Sequence, residues 1–464
     1  MSATLAVPTR TWEEANVTVF GMGRSGQAAT DLLLDRGSNV TLIEEHHRPE
    51  YEGLREAYEQ RGVRICIGGN LEPVLNQSEL LVVSPGVPHD HHFLQQARQK
   101  NIPVIGEIEL AARFLQVPVI AITGTNGKST TVRLIGAILQ ESGKHVFVGG
   151  NLGLPLCEAV PKLAESSPAQ GYDYIVAEVS SFQLETIQQF KPWISVLLNV
   201  TPDHLDRHST QEEYQLAKQR IFENQTEQDW MVINVDDPIV RALTLNAKAR
   251  AYEFSFCQEV IQGMYSKGNV IHVRQDGRED ILFDRDDIAM RGQHNVANAM
   301  AAISVGLLCG CSKEDIVGAL QHVPVFEHAL EPVRTWQGIT FINDSKGTNV
   351  DATLKALQSF EDPVVLILGG KDKGGDFTRL SESIHQGVKG LVVIGEATLR
   401  ILDALGGNIS INCAISLEDA VSQAVSLASS GDVVLFSPAC ASFDMFQNYH
   451  QRGLEFKRVV QELQ

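Results

Sequence analysis

Cysteine is scarce in this 464-residue sequence. The seven present, Cys66, Cys157, Cys257, Cys309, Cys311, Cys413 and Cys440, form no CxxC pair and no disulfide framework. That argues against a zinc ribbon or a disulfide-stapled fold and fits a reducing cytoplasm. Basic residues are also few: 38 Lys and Arg against 57 Asp and Glu leave a net charge of −19. Nucleic acid is therefore not expected as a partner, and an anionic small substrate needs a local basic pocket. Long apolar runs are missing as well. No window reaches the roughly 18 uninterrupted apolar residues of a membrane span, and the start MSATLAVPTRTWEEANVTVF lacks a signal-peptide core, so neither export nor membrane insertion is expected.

What is present is an ordinary globular composition, 43% hydrophobic and 20% charged, in a chain too long for one core. Short β-branched runs recur between helix-like stretches: VTVF at Val17, VTLI at Val40, LLVV at Leu80, VIAIT at Val119, YIVAEV at Tyr174, ISVLLNV at Ile194, VVLILGG at Val364 and VVLFSPA at Val433. Runs apolar throughout read as strands buried on both faces, hence parallel α/β sheets whose carboxyl ends bind ligands. Three blocks separate: residues 1–116, 117–322 and 323–464. The second contains helical stretches over Asn295–Leu308 and Lys313–His322 and a small β excursion over Tyr252–Asp287; the third ends in the helix GLEFKRVVQEL.

The most informative segment is VIAITGTNGKSTTVRLIGAIL. A buried strand runs into Gly124-Thr125-Asn126-Gly127-Lys128-Ser129-Thr130 and then a helix, an arrangement that surrounds a phosphate with backbone N–H groups, brings Lys128 to the terminal phosphates and offers Ser129 to Mg²⁺. The loop is a compact variant, with Ile122 where the general nucleoside-triphosphate pattern has its first glycine. Near the start, VTVFGMGRSGQAATDLL places Gly21-x-Gly23-x-x-Gly26 between strand and helix, with Glu44 and Glu45 after the next strand; NAD, FAD or a nucleotide sugar would each satisfy it. Glu178 ends a strand beside the phosphate loop, where a carboxylate can complete a Mg²⁺ shell, and His204 is expected at the end of the next strand, where it can hold a second ion. Lys218 lies on the following helix, and for the acids Asp203 and Asp206 capping a helix start is as good a reading as a functional one. In the third block Lys346 of FINDSKGTN and Ser442 of SPACASFDMF would together make a carboxylate pocket.

In order along the chain, GTNGKST, GGNLG, AEVSSFQLE, TPDHLDRH, YQLAKQRIFEN, GQHNVANAMAA, NDSKGTN and SPACASFDMF resemble the motifs of the Mur ligases. The last two are similar to those of the branch that adds D-glutamate to UDP-N-acetylmuramoyl-L-alanine. The resemblance implies a cytoplasmic, monomeric bacterial enzyme with three domains: a Rossmann-like UDP-substrate domain, a central P-loop-type ATPase domain with a mostly parallel sheet, and a C-terminal Rossmann-like domain for the amino acid. It implies ATP and two Mg²⁺ ions, one on Ser129 and Glu178, the other on His204 and a carbamylated Lys218. It assigns Asn295 and Asn298 to the adenine side, Gly23, Arg24 and Ser25 with Ser84, Pro85 and Gly86 to the UDP moiety, Asn151 to the muramoyl substrate, and Lys346, Ser442 and the backbone at Tyr449 to D-glutamate.

Two departures stand out. Glu45 and His46 occupy positions where family members often carry Thr-Arg-like uridine contacts, and the usual His-Arg-x-Glu reads His328-Ala329-Leu330-Glu331. An NAD-dependent oxidoreductase would leave the Lys128 loop unexplained. A sibling Mur ligase or folylpolyglutamate-type synthetase would differ in the third domain, and a non-catalytic nucleotide-binding scaffold would have no use for Lys128, Glu178, His204 and Lys218 together.

Overall fold

The computed structural model describes residues 12–151, 153–163, 171–204, 207–284, 292–321, 327–407 and 409–464. Three α/β sheets follow one another along the chain. The first contains β1 (Asn16–Phe20), β2 (Asn39–Glu44), β3 (Arg64–Ile67), β4 (Leu80–Val83) and β5 (Val104–Gly106) in the order β3-β2-β1-β4-β5, all parallel. Its strand order reverses between β1 and β4, which places the Gly21 turn at a switch point.

The second sheet is built from β6 (Val119–Thr123), β7 (Val146–Gly150), β8 (Tyr174–Glu178), β9 (Ile194–Leu197), β10 (Trp230–Asn234), β11 (Arg250–Ser255), β12 (Gly263–Lys267), β13 (Val270–Gln275) and β14 (Arg278–Asp284). Their order is β14-β13-β12-β11-β10-β9-β6-β8-β7. The expected β excursion is the antiparallel meander β12-β13-β14, which extends this sheet at β11.

The third sheet has the order β15-β16-β20-β17-β18-β19, from β15 (Glu331–Trp336), β16 (Ile339–Asn343), β17 (Val364–Gly369), β18 (Val388–Ile394), β19 (Ile411–Ala414) and β20 (Val433–Phe436). Along β17, Val364, Leu366 and Leu368 enter one core and Val365 and Ile367 the other, the two-sided burial that makes a parallel strand apolar throughout. Only β15 runs antiparallel to its neighbour.

The chain forms two compact units. One holds residues 1–200, 212–287 and 298–320; the other holds 201–211, 288–297 and 321–464. Within the first, a single apolar core includes Val19 and Leu33 of the first sheet's layer and Ala121 and Ile175 of the second's. A carboxylate reinforces that junction: Glu109, fully buried, accepts the backbone N–H groups of Gln188 (2.8 Å), Gln189 (2.9 Å) and Phe190 (2.8 Å) and pairs with Arg113 at 2.9 Å. From the other side of the same turn, Arg220 donates to the carbonyls of Leu184 (2.7 Å), Glu185 (2.6 Å) and Ile187 (2.7 Å). Among the described residues no helix is long and apolar enough to cross a membrane.

Candidate active site

β6 delivers the chain into the glycine loop and the helix Lys128–Glu141. Gly127 has φ of +89°, and a Cβ there would meet Asn298 Oδ1 at 2.2 Å, so only glycine fits. Gly127 is also the N-cap, and no side chain caps this helix, an end suited to an anion. Asn199 holds the loop from below: its Oδ1 accepts the Asn126 N–H (2.9 Å), its Nδ2 donates to the Asn126 carbonyl (3.0 Å), and its own carbonyl accepts the Thr125 N–H at 3.0 Å. The Thr125 hydroxyl lies 3.1 Å from the Tyr214 phenol. Lys128 Nζ donates to the carbonyls of Gly124 (2.9 Å) and Thr125 (2.7 Å).

β8 pairs with β6 so that Glu178 stands level with Ile122, at the mouth of this loop. The carboxylate is 3% exposed; its Oε2 accepts the Ser129 hydroxyl at 2.7 Å and its Oε1 accepts the Asn151 amide at 3.0 Å. Lys218, on the helix Gln211–Gln219, is buried, donates to the Gly124 carbonyl at 2.8 Å and lies 4.5 Å from the centre of the Tyr214 ring. Ser129, Asn151 and Glu178 thus meet directly, and Lys128 and Lys218 converge on one carbonyl oxygen.

His204 departs from the sequence expectation. It does not end a strand: β9 stops at Leu197, and His204 follows in a loop with φ of +55°. Asp203 is not a helix cap either, because its carboxylate accepts from Lys373 Nζ (3.1 Å) and Asn349 Nδ2 (2.9 Å). Burial pushes this acid up, but Lys373, His204 and Asn349 outweigh it and hold it at about 2. Asp206 lies outside the described residues. Asn295 and Asn298 are three apart on the helix Gln293–Leu308, which puts them on one face.

The loops after β16 and β20, adjacent parallel strands, carry Lys346 and Ser442. Ser442 is 2% exposed, and its hydroxyl makes no hydrogen bond among the described residues. Ser345, next to Lys346, donates its hydroxyl to the Tyr449 carbonyl at 2.8 Å, linking this loop to the start of the helix Tyr449–Gln461. Asp344, buried, is pushed up to about 7 by that burial, against the opposing hydrogen bonds of the Ser437 hydroxyl (2.6 Å) and the Leu330 N–H (3.2 Å).

In the first sheet, Gly21 has φ of +108° and a Cβ on Gly26 would lie 1.8 Å from the Gly21 carbonyl oxygen. The helix Arg24–Asp35 begins there without a side-chain cap, with Gly23 and Arg24 exposed. Ser84 packs against the turn, its hydroxyl 3.4 Å from the Gly21 carbonyl, followed by half-buried Pro85 and exposed Gly86.

The sequence matches three family descriptions in register with these sheets: "Mur ligase MurD-like, N-terminal domain" over residues 15–106, "Mur ligase middle domain" over 122–306 and "Mur ligase, glutamate ligase domain" over 330–440. It is 44% identical over 447 residues to a UDP-N-acetylmuramoylalanine--D-glutamate ligase of Geotalea uraniireducens, covering 96% of this chain and 97% of the relative. A protein of the same name from Koribacter versatilis is 42% identical, with coverage of 96% and 97%. The chain belongs to the Mur ligases. A pseudomurein peptide ligase type C from Methanothermus fervidus has the same fold, with a TM-score of 0.62 at 17% identity over 97% of this chain and 100% of that one.

As a Mur ligase, the chain is an ATP-dependent ligase of peptidoglycan precursor synthesis. The two departures noted in the sequence acquire a setting. Glu44, just before the first of these departures, is taken up locally: it accepts the N–H groups of Met22 and Glu45, both at 3.0 Å. Glu45 pairs with His91 at 3.0 Å, and a cavity of about 300 Å³ beside them is lined by Glu45, His46, Asn70, Glu72 and His92. In His328-Ala329-Leu330-Glu331, the side chains that make polar links are the first and the last: Asn343 donates to His328 Nδ1 (2.8 Å), and Glu331 accepts from the His328 N–H (2.9 Å) and Lys457 (2.6 Å). Asn199, Lys373 and Arg452, which hydrogen-bond the loops or residues described above, are residues that sequence reasoning passed over. Only Asn199 left a trace, as the polar residue closing the apolar run ISVLL.

Proposed function

We propose that this chain adds D-glutamate to UDP-N-acetylmuramoyl-L-alanine, using ATP to activate the substrate carboxylate as an acyl phosphate that the amine of D-glutamate then displaces. The observation that carries the reading is the meeting of Ser129, Glu178, Lys128 and Lys218 around the Gly124 loop. A carboxylate is a poor electrophile, and phosphorylation gives it a leaving group; the charge that gathers during the transfer calls for fixed cations and N–H donors. The loop Gly124-Thr125-Asn126-Gly127-Lys128-Ser129-Thr130 receives the phosphates, with Lys128 turning from its loop carbonyls to the phosphate oxygens, and Asn295 and Asn298 serve the adenine side. Gly23, Arg24, Ser25, Ser84, Pro85 and Gly86 receive the UDP moiety and Asn151 the muramoyl part. Lys346 and Ser442, with the backbone at Tyr449, take the two carboxylates of D-glutamate.

Magnesium suits part of this donor set: a hydroxyl and a carboxylate, hard oxygen donors, already meet at 2.7 Å. Ser129 and Glu178 would hold one ion, and His204 with Lys218 the second. Lys218 as an ammonium would repel a cation, whereas the carbamate implied by family resemblance supplies carboxylate oxygens. When bound, the ions neutralise phosphate charge. Domain limits at 116/117 and 322/323, a monomeric state and a bacterial cytoplasmic setting belong to the same reading.

The test is phosphate release from ATP with UDP-N-acetylmuramoyl-L-alanine and a panel of amino acids. D-Glutamate alone should sustain turnover. Equal release with L-lysine or diaminopimelate, or none with any amino acid, overturns the assignment.

A further inference from the structure

A dicarboxylate substrate presents two negative charges, and Lys346 answers only one. The structure contains a second cation behind the same loops. Arg452, on the helix Tyr449–Gln461, is 3% exposed. Its Nε donates to the Ser345 hydroxyl (3.0 Å), its Nη2 to the carbonyls of Ser345 (2.8 Å) and Cys440 (3.0 Å), and its Nη1 to the Ala441 carbonyl (3.1 Å). Every acceptor thus lies in the one or two residues immediately before Lys346 or Ser442.

Two features separate this guanidinium from an ordinary structural arginine. Among the described residues no carboxylate pairs with it; its partners are neutral carbonyls and one hydroxyl. Burial lowers its pKa to about 10, which still leaves it charged at neutral pH. A buried unpaired ion is costly, and an apolar side chain of similar volume would fill the space more cheaply. The second feature is the geometry of the peptides it holds. The Ala441 carbonyl accepts from Arg452 and from the Lys371 N–H at 2.9 Å, and because the peptide is trans, the Ser442 N–H must point the opposite way, away from the guanidinium.

We propose that Arg452 is a positioning residue for the amino-acid substrate: it fixes the Lys346 and Ser442 loops to one another and supplies the second positive charge that selects a dicarboxylate. This rests on the D-glutamate reading of the site. The fork, bonded to both loops, sets their spacing to the precision that two-point recognition requires. Its charge acts through the intervening peptides, in a dry setting where screening is weak.

Steady-state kinetics on the full-length enzyme, varying each of the three substrates in turn, test it in the parent, Arg452→Lys and Arg452→Met. Arg452→Lys keeps the charge but loses the fork, and should raise the KM for D-glutamate roughly tenfold; Arg452→Met should raise it roughly a hundredfold. The KM values for ATP and the UDP sugar should stay within about twofold. Preference for D-glutamate over D-norvaline, which lacks the second carboxylate, should collapse in Arg452→Met and survive in Arg452→Lys. A folded Arg452→Met with unchanged D-glutamate KM, or with equal rises in all three KM values, overturns the proposal. If Arg452→Met does not fold, Ser345→Ala removes one acceptor of the fork and should raise only the D-glutamate KM, by roughly threefold; no change there overturns it equally. A parent enzyme that prefers another amino acid would instead refute the D-glutamate reading, and the dicarboxylate role with it.

Discussion

Lys218 and Lys128, from two different helices, donate to the same carbonyl oxygen, that of Gly124, at 2.8 Å and 2.9 Å. Removing one leaves the other in place, so Lys218→Ala should fold. It should nonetheless lose at least about a hundredfold in activity, because the group removed is assigned to metal binding as a carbamate. Added short carboxylates should restore part of the rate to Lys218→Ala and none to Lys128→Ala. Full activity in Lys218→Ala, or equal rescue of both variants, contradicts the carbamate.

Ser442→Ala should raise the KM for D-glutamate about tenfold or more, for the loss of about 1.5–3 kcal/mol from a hydrogen bond to a charged group. Lys346→Ala should cost more, since it leaves a carboxylate without its counter-charge. Neither should move the KM for ATP. Impaired ATP binding with intact D-glutamate kinetics would detach these loops from the amino acid.

Gly26→Ala places a methyl 1.8 Å from the Gly21 carbonyl oxygen, a contact that only a rebuilt turn can relieve. The UDP-sugar KM should therefore rise at least roughly tenfold while ATP binding persists. A variant with unchanged affinity for the UDP sugar would show that the first glycine turn does not receive it.

Glu107 gives a pH signature. Burial pushes its carboxyl up to about 7, against the opposing Cys157 N–H, while an unfolded glutamate titrates near 4.5. Between those values the native state binds the extra proton, so this residue's contribution to stability falls as pH rises through the window and is level above about 7. The shift corresponds to about 3 kcal/mol at most. Glu107→Gln should therefore gain stability relative to the parent between pH 5 and 8, read from urea midpoints at each pH; a difference independent of pH rejects the titration.

The eight apolar runs read from the sequence all became strands, because burial on both faces leaves a composition that needs no partner to be recognised. β3 and β19 escaped notice for the complementary reason: as edge strands, RICI and INCA are only partly buried and carry polar residues. The strand, glycine loop and helix around Gly124 were legible because their spacing is local. His204 was misplaced because nothing local announces where β9 stops. Arg452 was invisible: in NYHQRG it looks like a solvated helix residue, and only the fold, by bringing β16 and β20 side by side, buries it between their loops.

The carboxylate of Glu109 has a bearing on how such enzymes can be recombined. Three successive N–H groups of the Gln188–Phe190 turn depend on a residue that a cut near position 116 would remove. A graft of residues 1–116 from a relative keeps this junction when the donor brings a carboxylate to the position of Glu109, because its partners in the turn are backbone N–H groups that any sequence there supplies.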